Sequence, residues 1–248
     1  MNPSPYPVPF SSAHLRANIV KVLLIIGAIA TGLSLITETL SIAFPFSEDQ
    51  ELGDNPLGAV LGLVIFLLAV FEVIIYVTTV IFFCVWLYRA YDNLRVFNRW
   101  TGLDYSPAMA VGSFFIPFVN LVVPYRAVRE VWQKSAISEE LMLGLPEAPA
   151  RFPVWWMFWL LGSFVGNISM RLSFNENVPP TTATLVGILA SALSIFAAVF
   201  AYLVVDAIDK RQEDTTEKLQ LGRFSRPQPP PANLGSAPVM NEGSFSGQ

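Results

Sequence analysis

Residues 107–123 read Pro107-Ala-Met-Ala-Val-Gly-Ser-Phe-Phe-Ile-Pro-Phe-Val-Asn-Leu-Val-Val123, and whether they cross a membrane decides the fold. A helix rises 1.5 Å per residue, so a ~30 Å hydrocarbon core takes about 20 apolar residues. This stretch is shorter than that and is broken by Pro117 and Asn120. Both its flanks are basic. Four other segments are long enough: Ala17–Leu40, Gly58–Tyr88, Pro153–Leu172 and Thr182–Val205. If those four cross and 107–123 does not, 14 of the 15 Lys and Arg fall on one side, and Arg171 alone lies on or near the other. The connector Ser41–Leu57 on that other side carries Glu48, Asp49, Glu51 and Asp54 and no basic residue. Basic residues mark the cytoplasmic side, so four spans with both termini in the cytoplasm is the topology expected. A fifth crossing would divide the basic residues between the two faces.

The composition agrees. Of 248 residues, 53% are hydrophobic and 14% charged, far from the quarter charged that is usual in a soluble domain. The expected class is therefore all-α, an integral membrane helical bundle, multi-pass in the cell membrane. The first span is too long for a signal-peptide core and lacks a small-x-small cleavage site, so it reads as uncleaved. One Cys and one His exclude an intrachain disulfide, a zinc cluster and bis-histidine haem ligation, and nothing calls for a cofactor. A net charge of −4 does not suggest a nucleic-acid partner. All six tryptophans (Trp86, Trp100, Trp132, Trp155, Trp156, Trp159) lie near the basic boundary, where indole rings commonly anchor at headgroup level.

Residues 1–15 carry Pro3, Pro5, Pro7 and Pro9 and read as an extended tail. The membrane domain spans 16–206. Residues 207–248 begin as a polar helical continuation and pass into a Pro-, Gly- and Ser-rich, largely disordered tail. Pro124 opens an amphipathic helix over 124–140, with Tyr125, Val128 and Trp132 on one face and Arg126, Arg129 and Gln133 on another. Glu130 and Lys134 are spaced as an i,i+4 pair. For 107–123 two arrangements satisfy the backbone. One is a re-entrant hairpin with Asn120 serving the groups that Pro117 frees, and the other is a short helix lying in the interface.

The words Phe83-Cys-Val-Trp-Leu-Tyr-Arg-Ala-Tyr-Asp-Asn-Leu94, Ser106-Pro-Ala-Met-Ala-Val-Gly-Ser-Phe-Phe-Ile-Pro-Phe-Val-Asn-Leu121 and Pro124-Tyr-Arg-Ala-Val-Arg-Glu-Val-Trp132 carry a family resemblance. In order and spacing the chain resembles a bacterial membrane family catalogued as domain of unknown function 4328. The resemblance implies an integral membrane protein and brings with it no catalytic or binding residue.

Ionisable groups inside a span are costly and point to function or to register-fixing pairs. Glu72 stands fourteen residues above Trp86, and Arg171 fifteen above Trp156, which places both about 21–22 Å along their helices. A polar cluster of Glu72 and Arg171, joined by Glu38 and Asn167, is expected there. Small residues four apart (Gly58/Gly62, Gly162/Gly166, Gly187/Ser191, Ala197/Ala201) allow close helix approach. At the basic side Arg89, Arg95, Arg126 and Arg129, with Tyr88, Tyr91, Tyr125 and Trp132, form a patch suited to anionic headgroups, which Asp92 and Glu130 would partly neutralise. His14 has no acidic neighbour in sequence, so neither metal binding nor base catalysis is expected of it. No P-loop, Rossmann glycine pattern, zinc-protease helix or nucleophile elbow is present. The function expected is a non-enzymatic scaffold for lipid, or for protein partners reached through the tails. The alternative is a small transporter or channel built on the Glu/Arg cluster.

Overall fold

The computed structural model describes residues 11–43, 56–97, 102–136, 141 and 143–224, and within them all regular structure is helical. Six α-helices are α1 (His14–Ala43), α2 (Pro56–Phe97), α3 (Pro107–Gly112), α4 (Val123–Lys134), α5 (Arg151–Ser173) and α6 (Pro180–Phe224). Single 3₁₀ turns at Ser113–Phe115 and Val119–Leu121 link α3 to α4. The four long helices coincide with the four expected segments. Three of them contain stretches long and apolar enough to cross a membrane: His14–Leu40, Gly62–Phe97 and Pro180–Leu219. The fourth, α5, has 23 residues, about 34 Å, but its apolar run is diluted by Trp155, Trp156, Trp159, Gly162, Gly166 and Asn167.

The long helices form an open fan in the order α2, α1, α6, α5, each packed on its neighbour in that series. Small residues set the tightest seam. A Cβ on Gly162 would lie 3.4 Å from Ser194 Oγ, and one on Gly187 would lie 3.2 Å from Ser169 Oγ, so α5 and α6 pack as a close antiparallel pair. By contrast, a Cβ on Gly62 would meet open space. The start of α1, the end of α2, the start of α5 and the second half of α6 gather at one end, here called the basic end, together with α3 and α4. The core lies there: Trp86, Leu87, Tyr91, Leu94, Val128, Val131, Phe152, Val204 and Ile208 are all fully buried.

Several expectations change. The tryptophans are core rather than headgroup anchors: Trp86, Trp155 and Trp156 are buried, and Trp132 and Trp159 are partly so. The short helices between α2 and α5 cover rings that a bare span would have turned to lipid. Trp100, like Arg99, lies outside the described residues. The amphipathic helix stops at Lys134, six residues before the expected end at 140. There Ser135 turns its Oγ back to Val131 O at 2.5 Å and gives its own carbonyl to Thr215 Oγ1 at 2.8 Å. Residues 137–140 are outside the described set. The boundary at 206 also moves, because α6 runs on and Ile208, Asp209, Gln212 and Thr215 are buried in the core. At the other terminus Ser11 to His14 are docked: Arg89 Nε donates to Ser11 O at 3.3 Å, and Ser12 Oγ donates to Glu213 Oε1 at 2.7 Å. The proline-rich run, most of the acidic connector and residues 225–248 lie outside the described residues.

Candidate functional site

Because α2 and α5 sit at opposite edges of the fan, a cleft of about 740 Å³ opens between them, with α1 and α6 as its back wall. Aromatic rings close it at the basic end. Phe114 stands edge-on to Phe83 of α2 (5.8 Å between centroids) and to Trp156 and Trp159 of α5 (6.0 and 6.4 Å), while Phe83 and Trp155 meet at 6.0 Å. The walls are apolar or small, as at Gly27, Ala28, Phe158 and Ala198. Glu72 is the single charged residue that lines it, and Glu72 Oε1 is shielded from solvent with no hydrogen-bond partner among the described residues. Cys84 is half-buried and lines the cleft.

The expected Glu72–Arg171 pair does not form. Arg171 is exposed, and no ion pair joins the two among the described residues. Counting residues along two helices gives height only, and α2 and α5 diverge sideways. Asn167 is also exposed and donates to Ser163 O of its own helix at 2.7 Å. Glu38 is the member that does approach: it interacts electrostatically with Glu72, and its carboxylate reaches to the Gly187 position, where a Cβ would stand 3.9 Å from Glu38 Oε1. What comes together is thus two carboxyl groups, Glu72 and Glu38, not an acid–base pair.

Residues 107–122 build the cleft's floor. Ser106 Oγ caps α3 by accepting from Met109 N at 3.1 Å, and Pro107 starts the helix. After Pro117 the chain reverses in a γ-turn: Phe118 has φ +64°, and Val119 N donates to Pro117 O at 2.8 Å. Asn120 N then returns to Ile116 O at 3.0 Å. The carbonyl of Leu121 is satisfied by Trp156 Nε1 at 2.9 Å, so the indole takes the stabilising part expected of the Asn120 side chain. Phe115, Ile116, Phe118, Leu121 and Val122 are left as an exposed apolar edge, with Phe118 86% exposed.

The basic patch is divided rather than convergent. Arg89 and Arg95 both pair with Asp92 (3.1 and 3.6 Å), as expected, while Tyr88, Arg126 and Arg129 are exposed and Tyr125 is half-buried. Trp132 lies under the Arg211 guanidinium at 4.3 Å and beside Phe152. Tyr91 is fully buried and donates to Glu130, which also accepts from Asp104 N at 2.7 Å and from Lys134 Nζ at 2.6 Å. The i,i+4 pair therefore exists, but as the buried centre of a network. Gln212 of α6 extends it: Nε2 donates to Ala90 O (2.8 Å) and Ser135 Oγ (3.1 Å), and Oε1 accepts from Asn93 at 3.1 Å.

His14 is corrected as well. Its Nδ1 is 2.9 Å from Asp209 Oδ2, and His14, Asp209 and Glu213 each present a ligand-type atom within 4.8 Å of the others. Lys21 Nζ already lies 3.3 Å from both Asp209 and Asp206, so a cationic side chain serves this acidic group. The sequence held no signal for the contact, because its partners are 195 and 199 positions away.

No curated protein and no solved structure matches the chain. Residues 60–210 match the family described as Domain of unknown function (DUF4328), a region that runs from α2 through the floor segment and α4 to the buried part of α6. The chain belongs to that family.

Proposed function

We propose that the chain is a non-enzymatic, four-span scaffold of the cell membrane with both termini in the cytoplasm. Its rigid part is the module at the basic end, and the observation that carries this reading is the buried network in which Gln212 of α6, Asn93 and Tyr91 of α2, and Glu130, Lys134 and Ser135 in and beside α4 are locked together. α5 is read as the fourth span because it packs closely along α6, which is apolar enough to cross. The floor segment is read as re-entrant. Phe115 lies against Tyr76–Val85 of α2, a stretch inside the hydrocarbon region on this topology, and the turn's backbone groups are satisfied internally. Exposed Arg126 and Arg129 then sit at headgroup level, where anionic lipid attracts each by about 1 kcal/mol. Protein partners would engage the tails.

The transporter or channel reading loses its Glu/Arg pair but keeps Glu72 in the cleft. A cysteine-accessibility scan in a Cys84→Ser background separates the two. Under the scaffold reading, thiols along 108–123 label from the cytoplasm alone, and thiols one turn either side of Glu72 stay unreactive to small polar reagents. Reaction beside Glu72 would establish a water-filled route and favour transport. Labelling of 108–123 from outside would break the four-span topology.

A further inference from the structure

We infer that the cleft between α2 and α5 is a binding site for a single-chain amphiphile with an ammonium head, the Glu72 carboxylate receiving the head and the apolar walls the chain. The volume, about 740 Å³, falls within the range of small-molecule sites, and the lining is mainly apolar, with Glu72, Tyr76 and five Ser and Thr hydroxyls as its polar groups. Glu72 is the single charged lining residue, and its Oε1 is shielded and unpartnered. An ionised carboxylate so placed is costly until a cation meets it. Among the described residues no ion pair supplies one, and Arg171 is exposed. Glu38, electrostatically coupled to Glu72, puts a second carboxyl group near the same end, an arrangement that disfavours an anionic head. Tyr76, one helical turn from Glu72, also lines the cleft, and aromatic rings attract ammonium groups. Below Glu72 the lining has no other charge down to Phe83 and Phe114, eleven residues or about 16 Å along α2, close to the length of an extended dodecyl chain.

The site rests on α2 and α5 both crossing the bilayer, which the cysteine scan checks separately. The test uses the full chain in phosphatidylcholine nanodiscs, with dodecylamine, dodecanol and laurate as probes. Binding is read from the fluorescence of the cleft tryptophans and from protection of Cys84 against a hydrophobic maleimide. Saturable binding of dodecylamine is expected, with dodecanol and laurate weaker by about tenfold or more. Glu72→Gln should remove the preference for the amine. Ala198→Phe, which fills the chain region and leaves Glu72 in place, should weaken dodecylamine binding. Equal binding of all three probes, or a Glu72→Gln protein that still prefers the amine, overturns the assignment. If Glu72→Gln does not fold, the three-probe comparison on the unmodified chain decides it. A chain that passes the cysteine scan and shows no head-group preference loses the ligand and keeps the topology.

Discussion

The two ends of α2 belong to different physical regimes. Around Trp86–Leu94 the side chains of Trp86, Leu87, Tyr91 and Leu94 are fully buried, and a network of carboxylate, ammonium, amide and hydroxyl groups joins α2 to α4 and α6. Around Val60–Val73 most of its large apolar side chains stand exposed, its one charged group has an unpartnered oxygen, and its helical neighbour along that stretch is α1. Water explains the contrast. The hydrophobic effect gathers a core where the alternative is exposure to solvent, so aromatic and aliphatic groups collapse at the basic end. In lipid the alternative to a protein neighbour is an equally apolar chain, and helices hold together through close contact of small residues instead. The α5–α6 seam has such contacts at Gly162 and Gly187. Between α2 and α5 the contacts are made by rings at one end, and a cleft remains above them.

That contrast can be broken most severely at Glu130. Glu130→Ala takes the closest carboxylate from buried Lys134, which keeps Gly102 O and Asp104, and removes the acceptor of Tyr91 and of Asp104 N, and a loss of about 3 kcal/mol is expected in the reversible unfolding of the detergent-solubilised protein. A loss below about 1 kcal/mol would show that the network does not hold the module. Next is Gly162→Leu, which forces α5 from α6 and should cost about 1–3 kcal/mol, while Gly62→Leu, set in open space, should be close to neutral in the same assay. Similar effects at both positions would remove the distinction between seam and open face. Trp156→Phe keeps most of the ring contacts but leaves Leu121 O without its donor. About 1 kcal/mol is expected, with faster protease cleavage near Phe118 as the diagnostic readout. Smallest is Arg171→Gln, within about 0.5 kcal/mol and additive with Glu72→Gln; a coupling above that would restore the discarded ion pair.

What could be read before the structure was local or statistical in nature. The positions of the long helices follow from uninterrupted apolar length, and the Glu130–Lys134 pair follows from a spacing fixed by one helical turn. Pro117 marked a break in the short run, with a hairpin and an interfacial helix both open, and the chain turns there in a γ-turn at Phe118. The failures share a cause. A tryptophan near the end of a span has the same sequence whether its ring faces lipid or a neighbouring helix, so Trp86 and Trp155 were misassigned to the interface. Height along a helix says nothing of lateral distance, which undid Glu72–Arg171. Contacts such as His14–Asp209 and Asn93–Gln212 join residues 195 and 119 positions apart, and no periodicity encodes such meetings.

The same long separations set an order of events during synthesis. The basic-end core draws Ala17 and Val20 from the first helix and Val204, Val205 and Ile208 from the last, with the middle of the chain between them. Nascent helices α1 to α5 therefore wait with the α6 part of that core missing, Lys21 without Asp206 and Asp209, and Ser135 without Thr215. Only emergence of α6 from the ribosome completes the module. A chain truncated before residue 204 would retain most of its apolar length, insert, and still present its tryptophans and its orphaned polar groups to quality-control proteases.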